Sequence, residues 1–321
     1  MDPITHTLAG ATMARAGLDR RTPLATAALL LGANAPDIDI LTALGEANAT
    51  LACRRGWTHG PLAMLALPFV IAGSLLVWDR YVRRRRSPSV PPAAGMALLQ
   101  LSALGVLSHP ALDWLNTYGI RLLMPFSSTW FRGDSVFIID PWLWFVFAVG
   151  LIVVRRVRST SASPWRFARI SGSVALAYIA AMVALSVAGK RSGWKAAESI
   201  GIAGITEVLY SPRPATPLKA DLVVRTADAY HPGSLAWQFS GARVTFTGIV
   251  IPRGDWSASV VQRAREVPAA RNYLVWSQFP YVRLEVNGVD TTVFFGDARY
   301  RALPAGNLSG MSITLPRTNS R

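Results

Sequence analysis

Apolar runs of near bilayer-spanning length, closed off by arginine clusters, are what most constrain the fold of this chain. The runs are PLAMLALPFVIAGSLLVW (61–78), AAGMALLQLSALGVLS (93–108), VFIIDPWLWFVFAVGLIVV (136–154) and ISGSVALAYIAAMVALSVA (170–188). They approach the ~20 apolar residues that cross a bilayer as a helix. Two shorter pieces, 7–18 and 22–35, read as a helical hairpin turning at Leu18-Asp19-Arg20-Arg21. In lipid a backbone must bond within its own segment, so the runs predict a multi-pass α-helical membrane domain. The chain is only 16% charged, well below the roughly 25% of soluble domains, which agrees.

A net charge of +15 would suit a nucleic-acid binder, but its placement argues otherwise. The arginines of DRYVRRRR (79–86) and RRVR (155–158) directly follow apolar runs, as cytoplasmic membrane flanks do. No nucleic-acid partner is expected, and membrane lipid is. MDPITHTLAG lacks a basic leader region, so insertion is expected from internal helices and not from a cleaved signal. Cys53 stands alone, which excludes an internal disulfide and a thiolate metal cluster.

Arginine placement also predicts orientation. Arg83–Arg86 set the end of 61–78 inside. Segment 93–108 then runs outward, 136–154 returns to Arg155, Arg156 and Arg158, and 170–188 exits. Arg20 and Arg21 place the hairpin tip inside as well. The outer ends then gather His6, Ala35-Pro36-Asp37-Ile38-Asp39, His59 and Ser108-His109-Pro110, three of the four histidines. Asp113, Asp134 and Asp140 lie next to or between these ends. Carboxylates at a membrane boundary are costly unless solvated, paired or metal-bound.

HPALD (109–113) sets His109 and Asp113 at i and i+4, one helix face and usable metal-ligand spacing, with Pro110 suiting a first helical turn. APDIDI (35–40) offers Asp37 and Asp39, which would serve equally as a turn or cap. His6 in DPITHT could simply cap its helix, and His59 beside Trp57 could be an interfacial residue. Together, nitrogen and oxygen donors without cysteine suit Zn²⁺ foremost, with Mn²⁺ or Fe²⁺ as alternatives, as one ion or two. Such an ion makes a bound water acidic near neutral pH. Spare carboxylates, Asp39 and Asp134 among them, would serve as general base or orient a ligand histidine. Arg55, Arg121 and Arg132 lie near the same predicted face, where they would hold anionic oxygens or simply contact headgroups.

Beyond residue 190 short alternating runs appear: ADLVVRT (220–226), SLAWQF (234–239), RVTFTGIV (243–250) and NYLVWS (272–277). YVRLEV-NG-VDTTVFF (281–295) carries a type I′ hairpin signal at Asn287-Gly288. SASVVQRAREV (257–267) reads as a helix, SPRPATP (211–217) as a turn or linker, and His231 as a turn residue. The expected architecture is a helical membrane domain over 1–189 and a mixed, mostly β extracytoplasmic domain over 190–321.

The succession M-x-x-x-T-H, PDID, RGWTH before an apolar helix, and HPALDWLNTYGIRLLMPFS (109–127) resembles the YdjM-like family of bacterial inner-membrane proteins, described as membrane-bound, metal-dependent hydrolases. The resemblance covers about residues 1–155. The family is distantly similar to zinc phospholipases C and single-strand-specific zinc nucleases. That likeness implies His6, one of Asp37 and Asp39, His59, His109 and Asp113 as ligands. No second histidine-bearing pair follows Asp113 before His231, which departs from a three-metal pattern and favours one or two ions, with Asp134 the local candidate to complete the set. The function expected is hydrolysis of a phosphoester or lipid-linked substrate at the outer face of the cytoplasmic membrane. The competing reading is a non-enzymatic anchored protein with a structural metal or polar cluster. A transporter is disfavoured by the lack of an inverted repeat.

Overall fold

A computed structural model describes residues 1–45, 49–157, 163–301 and 308–316. Arg158 lies outside them. Among the described residues, the longer helices of the N-terminal region are α1 (Pro3–Arg15), α2 (Ala25–Asn34), α3 (Pro61–Trp78), α4 (Gly95–Trp114), α5 (Pro141–Val157) and α6 (Trp165–Ser199), with short helical turns at Ala49–Cys53 and Arg84–Arg86. Among the described residues, four stretches are long and apolar enough to cross a membrane: Ala25–Leu44, Pro61–Arg86, Gly95–Trp114 and Trp165–Ser199. Their outward side chains, such as Leu65, Phe69, Leu107 and Leu176, stay exposed, the surface a bilayer rather than water would cover.

Several boundaries differ from the sequence expectation; α6, for one, overruns 170–188 at both ends. The run 136–154 becomes helical only at Pro141, because Asp140 accepts from Trp142 N (2.9 Å) and Leu143 N (3.0 Å) and starts α5. An aspartate N-cap satisfies N–H groups that the helix cannot. The run 93–108 does not stop before HPALD. α4 continues through Pro110 to Trp114, so Pro110 sits inside the helix and not in a first turn. Finally, the second hairpin helix is prolonged by a 3₁₀ segment, Ala35–Leu44, which gives it spanning length.

α2, α3 and α4 bury one cluster, including Ala28, Leu29, Ile71, Leu75, Leu98 and Leu101. α1, α5 and α6 bury another, built on Ala9, Leu143, Phe147 and Met182. α2 and α4 cross at glycines. A Cβ on Gly32 would lie 2.7 Å from Ser102 O, and one on Gly105 would lie 2.8 Å from Leu29 O. Small residues at a crossing let backbones approach closely.

The chain divides into two compact units. One comprises Met1–Asp39, Arg55–Ser186 and Pro212–Pro217; the other comprises Ile40–Arg54, Val187–Ser211 and Leu218–Arg321. The long helix α6 thus serves both, and Ile40–Arg54 belongs with the C-terminal unit. There β1 (Glu207–Arg213), β2 (Thr216–Arg225), β3 (Ala229–Gln238) and β4 (Gly241–Phe246) form a sheet in that order, with β5 (Ile251–Pro252) also on β3. After α7 (Ser259–Arg265) and α8 (Pro268–Trp276), β6 (Pro280–Asn287), β7 (Asp290–Asp297) and β8 (Gly310–Pro316) form a second antiparallel sheet.

NYLVWS, expected as a strand, is the end of α8. Ala270, Tyr273 and Trp276 are its buried residues, a spacing of three that suits a helix and not a pleat. Pro214 and Ala215 of SPRPATP turn β1 into β2, and His231 lies in β3 opposite Val224. The β6–β7 loop is Gly288-Val289, one residue beyond the expected Asn287-Gly288, since Asn287 pairs with Asp290. Only Gly288 has positive φ (61°). A type I′ turn needs two such residues, whereas type II′ takes a glycine at the first.

Candidate metal centre

The glycine crossing of α2 on α4 fixes the first histidine. It brings Ala33 O within 2.7 Å of His109 Nδ1. A carbonyl only accepts, so His109 donates from Nδ1 and turns Nε2 inward. His59 ends a 3₁₀ turn, Trp57–His59, just before α3. Gly60, which follows it, leaves no room for a Cβ because Met124 O lies against it. Thr58 Oγ1 donates to Asp39 Oδ2 (3.1 Å) and lies 2.9 Å from His59 Nδ1. With its own proton committed to Asp39, Thr58 accepts from His59 Nδ1. The bonding pattern therefore turns both Nε2 atoms inward, where they face each other at 3.1 Å.

Two imidazole lone pairs at that separation repel unless a cation joins them. Around a tetrahedral ion with Zn–N bonds of 2.0–2.1 Å, two ligand nitrogens stand about 3.3 Å apart. The carboxylates complete the set. Asp113 Oδ2 is 3.5 Å from each Nε2, and Asp37 Oδ1 is 3.7 Å from that of His109. One ligand atom from each of Asp37, His59, His109 and Asp113 lies within 4.8 Å of the others. The donor chemistry and spacing fit a divalent metal ion. His59, His109 and Asp113 are fully buried, and Asp37, at 9% exposure, is the least buried member.

His6 stacks on His109 with ring centroids 3.8 Å apart, and its Nε2 lies 3.3 Å from Asp113 Oδ1. Its Nδ1 is buried without a hydrogen-bond partner. Asp39 stands behind His59. It accepts from Arg55 N (2.7 Å) as well as from Thr58, and its Oδ2 is 3.5 Å from His59 Nδ1. Asp134, at positive φ (50°), pairs with Arg132 (Nε–Oδ1 3.1 Å), and its carbonyl accepts from Ser186.

The arginines separate. Arg55 is 1% exposed, and its Nε and Nη2 lie 2.9 Å from the two oxygens of Asp113. Its Nη1 donates to Asn116 Oδ1 and Gly119 O, and the guanidinium lies over the Tyr118 ring. A buried fork of this kind fixes a carboxylate in two directions. Arg55 holds φ at 54° to do so. Arg121 is buried over Trp130, and its N–H donates to Arg55 O. Arg132 is the half-buried one. Asn116 and Tyr118, not singled out from sequence, lie in the NTY of HPALDWLNTYGIRLLMPFS. Thr58 in RGWTH and Ala33 were missed as well, since a carbonyl's role leaves no trace in residue type.

A buried histidine–carboxylate cluster at the ends of apolar helices defines a class, the membrane protein with a group of side chains able to hold a metal ion. This chain belongs to the YdjM inner membrane protein family, which it matches over residues 1–194. It is also similar to the uncharacterized protein YfhP of Bacillus subtilis (strain 168), with 28% identity over 116 residues, 36% of this chain and 32% of that one. The match spans about a third of that relative's length. No solved structure matches the chain.

Proposed function

We propose that this protein is a membrane-bound, metal-dependent hydrolase acting on a phosphoester or lipid-linked substrate at the outer face of the cytoplasmic membrane. The observation that carries the reading is the facing pair of His59 and His109 Nε2 atoms at 3.1 Å, closed by Asp113 and Asp37. Nitrogen and oxygen donors without thiolate favour Zn²⁺, with Mn²⁺ or Fe²⁺ as alternatives. Bound there, a divalent ion supplies Lewis-acid activation of water and of a phosphoryl oxygen. His6 is the donor that a second ion would recruit.

The surrounding residues prepare the centre. Ala33 O and the Thr58–Asp39 pair fix the two imidazoles, as partners behind metal ligands do. Arg55 fixes Asp113 and offsets its charge. Substrate access would be beside Asp37, the least buried of the four at 9% exposure, and Arg132 is the proposed contact for an anionic oxygen. Asp39 would serve to orient His59 through Thr58, and Asp134 is paired with Arg132.

Elemental mass spectrometry of the detergent-purified protein tests the centre, beside folded His59→Ala and His109→Ala variants. About one or two equivalents of metal, lost in both variants, are expected, together with turnover of lipid or nucleotide phosphoesters absent from His109→Ala. Metal without turnover on any phosphoester would leave a structural centre, the role that complete burial of three donors favours. No metal after reconstitution with Zn²⁺ and Mn²⁺ would overturn the reading.

A further inference from the structure

At the other end of α1, nine residues or about 13 Å along the axis from His6, lies a feature with no part in the metal centre. A cavity of about 520 Å³ opens there between the ends of α1, α5 and α6 and the turn Leu18–Arg20. Its polar lining is Arg15, Asp19, Arg20 and Arg155; Leu151, Val154 and Trp165 form the apolar part. Arg15 is paired with Asp19 (3.0 Å). Arg20 and Arg155 have no carboxylate partner among the described residues. Arg169 stacks on Trp165 (4.2 Å) and donates to Ala16 O.

Helix ends explain part of this. Arg15 and Arg155 lie in the last turns of α1 and α5, where the negative helix end favours a cation. They do not explain why arginines from three separate segments ring a cavity of ligand size. The cavity also lies beside the N-terminus of the 35-residue α6, the helix end that favours an anion. Its apolar side is made by helices whose outer faces meet lipid. A basic pocket between helix ends, half apolar, matches a phosphate ester that carries acyl chains.

We infer that Arg20 and Arg155, with Arg15 beside them, bind the phosphate of an anionic phospholipid headgroup in this cavity, which makes it a lipid site separate from the metal centre. Asp19 tempers it by holding Arg15. This reading does not depend on the hydrolase assignment.

Native mass spectrometry of the full-length protein in detergent, titrated with dioleoylphosphatidylglycerol or dioleoylphosphatidylcholine, tests it. The Arg20→Gln/Arg155→Gln variant is compared with Arg86→Gln/Arg156→Gln, which removes two charges outside the cavity. Each cavity arginine lost should weaken phosphatidylglycerol binding about fivefold, or about 25-fold for the pair. The control pair should stay near wild type, and phosphatidylcholine should bind weakly throughout. Asp19→Asn should tighten binding several-fold, a gain that misfolding cannot mimic. Equal losses in both double variants, an unchanged Asp19→Asn, or equal binding of the two lipids would overturn the site. Complete displacement of the lipid by millimolar inorganic phosphate would overturn the lipid assignment in favour of the free anion.

Discussion

Substituting Gly105 by alanine adds one methyl group at the crossing that sets His109. The new Cβ would stand 2.8 Å from Leu29 O and 3.0 Å from Ala33 N, against the 3.4 Å at which ordinary contact begins. Both neighbours are backbone, so no side chain can swing aside, and the helices must part by about 0.6 Å in a core packed near crystal density. The 2.7 Å bond from His109 Nδ1 to Ala33 O then stretches to about 3.3 Å, past the usual range for N–H···O. Overpacking should cost ~1–3 kcal/mol. Loss of the bond behind a ligand should weaken metal affinity roughly 10–100-fold. Affinity is read by Zn²⁺ competition with a fluorescent chelator, and stability by thermal unfolding in the same detergent. Gly32→Ala should do the same, and the double variant should cost less than the sum, because both open one gap. A destabilised Gly105→Ala protein whose metal affinity stays within twofold of wild type would refute the coupling of this crossing to the centre.

In the C-terminal unit, burial alone would raise the Asp297 carboxyl, yet Arg299 beside it and the hydrogen bonds from Ser277 and the Arg299 backbone hold it below the usual carboxylate range. A depressed folded-state pKa adds stability above the unfolded value of about 3.9 that is lost as pH falls through the folded one. Asp297→Asn should therefore flatten the acid limb of the stability profile, and should cost ~3–5 kcal/mol at neutral pH by stranding Arg299; urea unfolding at several pH values reads both. Gly288→Ala should cost ~1 kcal/mol through its left-handed φ of 61°, while Asn287→Ala should stay within about 0.5 kcal/mol; the reverse order in thermal melts would restore the Asn-Gly register. Asp140→Ala should lower stability by ~0.5–2 kcal/mol by uncapping α5, with Tyr178→Phe showing a smaller loss through their 2.9 Å bond, read by thermal unfolding in detergent.

What was legible in the sequence is what depends on patterns longer than a turn. The apolar run 61–78 is α3 residue for residue, and charge placement alone gathers His6, His59, His109, Asp37 and Asp113. What escaped depends on one neighbour. Asp140 reads as a flaw in a spanning run until its carboxylate is seen to cap Trp142 and Leu143. Arg55 reads as a surface cation until the fold places Asp113 against it. Some of the signal was present but unread. Ala25, Ala28 and Gly32 on α2, and Ser102 and Gly105 on α4, are small or polar residues at helical spacing, and His109 continues the second stripe. A stripe of small residues leading to a histidine marks where two helices approach closely enough for the backbone of one to orient the imidazole of the other.

That arrangement also explains why the centre sits where apolar helices end. A ligand histidine needs a partner behind it, and among closely packed apolar helices the partner at hand is a carbonyl, which only a close crossing delivers. Ala33 O serves His109 in this way, next to Gly32 and Gly105. His59 follows no such crossing and takes its partner from Thr58, Asp39 behind it. Asp113, whose charge cannot be left alone at zero exposure, takes the guanidinium of Arg55. His109, His59 and Asp113 are thus each held by a different kind of partner, although the Arg55 N–H also donates to Asp39. Arg55→Lys keeps the charge but loses the two-oxygen fork, and should weaken metal binding while leaving the Ala33 and Thr58 bonds intact. Measured by the same chelator competition, its effect should add to that of Gly105→Ala within about 0.5 kcal/mol; strong non-additivity would mean that the centre collapses as one unit.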